Sequence, residues 1–238
     1  MTNYTIKNKN ISIDEIYDIV FKDKKLSLSK TVISNINKSR SFLEKKIRDE
    51  NKPFYGINTG FGDLHNVKID NNNLEILQSN LLRSHACGTG EKVESNIVKL
   101  MMLLKIISLS KGFSGIKLET VERLLFFYNN NIFPVVYKYG SLGASGDLSP
   151  LSHMSLPIIG EGEVEYKGKI INSKKVLKKY SLKKISLGSK EGLALINGTQ
   201  FMLSSLLFSL FDAYRISYLA DKISSISLEV FNCDLSPF

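Results

Sequence analysis

Tyr55, His85 and the run Gly140-Ser141-Leu142-Gly143-Ala144-Ser145-Gly146-Asp147-Leu148-Ser149-Pro150 are the places where this chain concentrates groups able to do chemistry. Tyr55 lies in Pro53-Phe54-Tyr55-Gly56-Ile57-Asn58-Thr59-Gly60-Phe61-Gly62, where glycines alternate with aromatic and polar residues and no helical or strand period survives. A phenol in such a shaped loop acts as an acid or base where its surroundings lower a pKa near 10. The other reading is a ring that anchors the loop by packing. His85 closes an apolar-periodic segment and is followed by Ala86-Cys87-Gly88-Thr89-Gly90. It reads either as a titrating group or as a cation complementing the end of a helix dipole. In the run from Gly140 to Pro150, three glycines and four small side chains leave the backbone bare, which on its own describes a tight turn.

Several familiar arrangements are excluded. Gly143-x-Ser145 has Asp147 where a nucleophile elbow needs glycine. Gly88-x-Gly90 has no third glycine, and no Gly-Lys-Ser/Thr phosphate loop occurs. His65, His85 and His153 lack the His-Glu-x-x-His spacing of a zinc protease, and Cys87 and Cys233 stand far apart, so no metal site is expected.

The elements that must position these groups are mostly helical. Ser12 and Glu15 form a capping-box pattern ahead of Ile13, Ile16, Tyr17 and Val20. Val32, Ile36, Leu43 and Ile47 share one face between Ser29 and Arg48. Asn71 to Asn73 precede a helix carrying Leu74, Leu77 and Leu81 that runs to His85. The segment opened by Ser95 is apolar on nearly every face through Leu109, which marks a buried helix, and Leu118 to Tyr128 form another, amphipathic one. Val164, Tyr166 and Ile170 around Lys167-Gly168 predict one small hairpin, with a short helix near Lys174 to Tyr180. Glu191 to Gln200 reads as a second shaped loop. Thr199 to Asn232 contains neither Gly nor Pro and keeps a helical apolar period, which predicts one long helix or a closely kinked pair belonging to a bundle. The expected fold is therefore mainly α. A loop-rich N-terminal domain with a small β hairpin occupies 1–196, and 197–238 begin a central helical bundle.

Composition sets the outer bounds. The chain has 238 residues, 43% of them hydrophobic, enough for a packed core. Its charge of +9 is scattered among short Lys clusters, which reads as a solvated basic surface with no nucleic-acid partner. MTNYTIKNKN lacks the apolar core of a signal peptide, and the apolar runs are too short to span a bilayer. With only two cysteines, a reducing cytoplasm is the expected location and no membrane is expected as a partner.

Four motifs, GSLGASGDLSPLSHM, FYGINTGFGDL, NLLRSHACGTGE and EGLALINGTQ, occur in the order found in the aromatic amino acid lyases, and the chain resembles that family over essentially its whole length. Within the family, the motifs closely resemble those of the bacterial histidine-specific branch. The resemblance implies that Ala144-Ser145-Gly146 is the precursor of a methylidene-imidazolone that the protein makes from itself, with no external cofactor. The backbone nitrogen of Gly146 attacks the carbonyl carbon of Ala144, a contact that a Cβ at 146 would hinder. Dehydration at Ser145 then yields an exocyclic electrophile that no ordinary side chain supplies. In the same way the resemblance makes Tyr55 the base that removes the substrate β-proton, and places Asn197 in the pocket of substrate and prosthetic group.

Ser84-His85 matches the pair carried by the histidine-specific branch, which implies L-histidine as substrate and trans-urocanate and ammonia as products. A substrate imidazole hydrogen-bonded by His85 is rewarded in a way a phenyl ring cannot match. Family members are considerably longer, and the resemblance implies that a second tyrosine, a carboxylate-binding arginine and an acidic residue belong to a half without matching positions here. It also implies a homotetramer with sites shared among subunits. Two other readings stay open: a noncatalytic remnant that associates with other chains, and a lyase for tyrosine or phenylalanine.

Overall fold

The computed structural model describes residues 3–50, 52–60, 62, 65, 67, 69–70, 73–234 and 236–237. Phe61, Asp63 and Leu64 of the Tyr55 motif, Asn71 and Asn72 of the expected cap, and Leu235 and Phe238 lie outside the described residues.

The helix that is apolar on every face organises the rest. α4 (Ser95–Ser110) buries Leu100, Met101, Met102, Leu103 and Ile106 completely, and four other helices pack around it: α1 (Ile13–Phe21), α2 (Lys30–Asp49), α5 (Leu118–Asn129) and α9 (Gln200–Val230). Local sequence explains how two of these begin. At α1 the Ser12 hydroxyl accepts from the Glu15 amide at 3.1 Å while the Glu15 carboxylate accepts from the Ser12 amide at 3.0 Å. At α2 the Ser29 hydroxyl accepts from the Val32 amide at 3.3 Å. Each bond satisfies an amide that the helix itself leaves without a partner.

Elsewhere the structure corrects the expected boundaries. Asn73 precedes α3 (Leu74–His85) without a side-chain capping bond. α4 does open at Ser95, as expected, and the Ser95 hydroxyl donates to Glu165 at 2.6 Å. The bare run ends at Asp147, because α6 (Leu148–Ser155) has already begun and Pro150 sits in its first turn, where a missing amide costs nothing. Glu191 to Ile196, expected as loop, form the short helix α8.

The β content is small and lies at the edges. The expected hairpin is β6 (Glu163–Tyr166) and β7 (Lys169–Asn172), turned by Lys167 and Gly168 at φ of 53° and 71°, and β4 (Ile132–Pro134) adds a third strand beside β6. α7 (Ser173–Lys179) follows it. A parallel pair, β1 (Asn3–Ile6) with β2 (Lys25–Leu28), uses α1 as its crossover. β3 (Thr89–Lys92) pairs antiparallel with β5 (Tyr137–Tyr139).

α9 is one continuous helix of 31 residues. Ser204, Leu207 and Phe211 are buried against the body of the protein, with Phe211 meeting Tyr17 and Phe21 edge-on. Every described residue from 212 onward is exposed. Among the described residues, no helix is long and apolar enough to cross a membrane.

Candidate active site

The β3–β5 ladder brings together two segments that are remote in sequence. α3 ends at His85, and the chain passes through Gly88 into β3; β5 runs directly into Gly140 and the bare loop. Gly140 adopts φ of +132°, and a Cβ there would meet the Gly88 Cα at 2.9 Å, so the two segments touch backbone to backbone. α6 presents the half-buried His153 to the same junction, where its Nε2 accepts from the Gly88 amide at 2.9 Å. Burial lowers the pKa of His153, which keeps the ring neutral and able to accept.

The result is a cavity of about 210 Å³ whose lining includes Ser84, His85, Cys87, Ala144, Ser145 and Gly146. Ser145 is exposed and His85 half-buried. The Nδ1 of His85 lies 2.9 Å from the Leu81 carbonyl and 3.1 Å from the Ser84 hydroxyl. A carbonyl only accepts, so the first bond places a proton on Nδ1, and in the neutral ring Nε2 is then the acceptor.

Beneath the loop, Gly146 forms a bridge with Gly198, and the Asp147 amide donates to the Gly198 carbonyl at 2.7 Å. Gly146 has φ of +80°, and a Cβ on it would lie 2.3 Å from the Gly198 oxygen. No side chain fits there. Asn197 is thereby joined to the loop through its neighbour, although it is not among the residues lining the cavity. α8, which delivers Asn197, has its first amides capped from a distance: Gln78 Oε1 on α3 accepts from Gly192 at 2.9 Å and Leu193 at 3.4 Å. The fully buried Glu191 carboxylate accepts from the Lys117 and Gly188 amides and the Thr120 hydroxyl.

Tyr55 stands apart. It is 60% exposed on the 53–60 loop and is not among the described residues that line the cavity.

Two groups at the base of the loop were not singled out as site residues from sequence. The carboxylate of Asp147 is fully buried; Oδ2 accepts from the Phe201 and Met202 amides, each at 2.9 Å, and so caps α9. Lys105 of α4 is 1% exposed and donates to the Asn197 carbonyl at 3.1 Å. Burial brings its pKa from 10.5 down to about 7, opposed by the charge of Asp147. The signal for Lys105 was visible: it is a lone cation inside the apolar run from Leu100 to Ile107. Among the described residues, no three His, Cys, Asp or Glu side chains group as metal ligands.

A mainly α body carrying a bare Ala-Ser-Gly turn against an imidazole defines a class. The chain belongs to the aromatic amino acid lyase family, whose sequence profile matches residues 11–238. Histidine ammonia-lyase 2 of Fusobacterium nucleatum subsp. nucleatum is 43% identical over 233 residues, which make up 98% of this chain and 45% of that protein. The crystal structure of histidine ammonia-lyase from Trypanosoma cruzi superposes with a TM-score of 0.87 at 33% identity, over 97% of this chain and 45% of that one. Phenylalanine aminomutase of Pantoea agglomerans gives 0.89 at 30% identity, over 96% and 44%. The chain thus spans less than half the length of the relatives it matches.

Proposed function

We propose that these residues form part of a histidine ammonia-lyase that eliminates ammonia from L-histidine to give trans-urocanate, with Ala144-Ser145-Gly146 as the source of a methylidene-imidazolone. The observation that carries the reading is the shared cavity of Ser84, His85 and the Ala144–Gly146 turn. Shape alone does not choose among the family's chemistries, since an aminomutase superposes as well as a histidine lyase. The preference for histidine rests on the Ser84-His85 pair and on sequence relatives such as that of Fusobacterium nucleatum.

The local structure fits the prosthetic group. Position 146 has no room for a side chain, and Gly146 is already paired with Ala144 in a tight bridge. The group supplies an electrophilic carbon to activate a substrate whose ammonium leaves poorly and whose β-hydrogen is weakly acidic. The residues of this chain do the remainder. Nε2 of His85 accepts the N–H of the substrate imidazole, which selects a polar ring. The Asn197 amide donates to the substrate carboxylate or the ring oxygen. Tyr55 Oη takes the β-proton. Since Tyr55 does not line the cavity, its role fits a site shared between copies, as the family resemblance implies for a homotetramer.

Elimination is proposed for this chain together with the remainder of a relative's length, whether on the same or a separate polypeptide. The test is ultraviolet detection of urocanate from L-histidine, using the chain co-expressed with the C-terminal half of a relative. Product that disappears in Ser145→Ala supports the reading; no product under any such condition overturns it.

A further inference from the structure

Lys105 has no part in the elimination just described, yet it is the most buried cation of the described residues and is aimed at the site's foundation. It donates into the Asn197–Gly198 peptide, the stretch of backbone with which the loop also pairs. The Asn197 carbonyl accepts from Lys105 Nζ at 3.1 Å, while the next carbonyl, of Gly198, accepts from the Asp147 amide at 2.7 Å. The two carbonyls therefore tie one short stretch of backbone to both α4 and the loop. That stretch is also the wall against which Gly146 rests, with the Gly198 oxygen 2.3 Å from where a Cβ of residue 146 would stand.

Ring closure at Ala144-Ser145-Gly146 needs such a wall. The Gly146 amide nitrogen bonds to the Ala144 carbonyl carbon, and the carbonyl oxygen leaves as water with the amide hydrogens of Gly146 and Ser145. Ser145 then loses its hydroxyl and α-hydrogen as a second water. No oxidant or reductant is consumed. The first step brings two backbone atoms inside their contact distance, so a backing that yields lets the loop relax outward instead of closing.

We propose that Lys105 is a positioning residue for ring closure, holding the Asn197–Gly198 peptide rigid behind Gly146. The inference rests on the reading that the loop is a prosthetic-group precursor. Burying an ammonium is costly, and an apolar residue of similar length would suit an all-apolar helix better if packing were its only purpose. Its depressed pKa, near 7, is the mark of that cost.

The experiment compares the intact mass of the 238-residue chain with those of Lys105→Met, Lys105→Gln and Lys105→Arg, sampled over time after synthesis and restricted to soluble protein with wild-type far-UV circular dichroism. Wild type loses two waters. In Lys105→Met, which keeps the length and removes the donor, the rate of that loss falls about tenfold, the scale expected for one hydrogen bond. At least one of the two donor-retaining variants, Gln or Arg, recovers the rate. A merely structural role is read separately as a drop in thermal midpoint without a change in ring-closure rate, and that result overturns the proposal. Equal rates in Met and wild type overturn it as well. If wild type itself shows no loss of water, the underlying reading of the loop fails, and the two failures are thereby told apart.

Discussion

At the scale of single residues, the site depends on backbone groups held by side chains that never touch a substrate. His153 is the clearest case. Its neutral Nε2 accepts from Gly88, and burial holds its pKa below the ordinary 6.5. The unfolded chain therefore binds a proton near pH 6.5 that the folded chain resists. Stability is fully present above that value and declines as pH falls toward the depressed folded-state value. His153→Gln retains an acceptor and cannot titrate. Thermal midpoints measured from about pH 8 to about pH 5.5 will fall less steeply in the variant than in wild type; parallel curves would contradict the assignment. Gly140 offers a second test, because its backbone lies on Gly88 at φ of +132°. Gly140→Ala will cost about 1–3 kcal/mol in urea denaturation, and an unchanged midpoint would show that the β3–β5 junction tolerates more space than its geometry implies.

At the scale of elements, what was legible in the sequence was what is specified locally. The capping box of α1, the amphipathic face of α2, the all-round apolar α4 and the Lys167-Gly168 hairpin each arise from neighbours within a few residues, and each was readable. α8 was not, because its second and third amides, of Gly192 and Leu193, are satisfied by Gln78, which lies 114 residues before Gly192 in the chain. The β1–β2 pair was not readable either, because its two short strands are parallel and joined through α1, with no tight turn to mark the pairing. The same division holds for the site. The loop and His85 were visible as residues, whereas their meeting depends on the β3–β5 ladder, and the link from Lys105 to Asn197 spans 92 positions. Two substitutions compare the two kinds of cap. Ser12→Ala removes a local one and will cost about 1 kcal/mol. Gln78→Leu leaves the Gly192 amide buried without a partner and will cost about 1–3 kcal/mol. Urea denaturation of both measures the difference, and a neutral Gln78→Leu would show that α8 does not depend on α3.

At the scale of the whole molecule, α9 sets the terms. Its first turns are buried on α4 and α1, but Tyr214, Ile216, Tyr218, Ile223, Ile226 and Val230 are all more than 60% exposed. An apolar surface of that extent on one helix favours association, which agrees with the proposed sharing of sites among copies and with Tyr55 standing outside the cavity formed by its own chain. Light scattering of the purified chain will accordingly give a multiple of 26.7 kDa; a monomer at high micromolar concentration would contradict the association. What Ala144, Ser145 and Gly146 become is more local than either assembly or turnover. Intact-mass measurement of soluble, folded chain tests it most directly. The expected mass is lower than that of the sequence by two water molecules, with the full mass retained in Ser145→Ala. The full sequence mass in folded wild-type protein would contradict it.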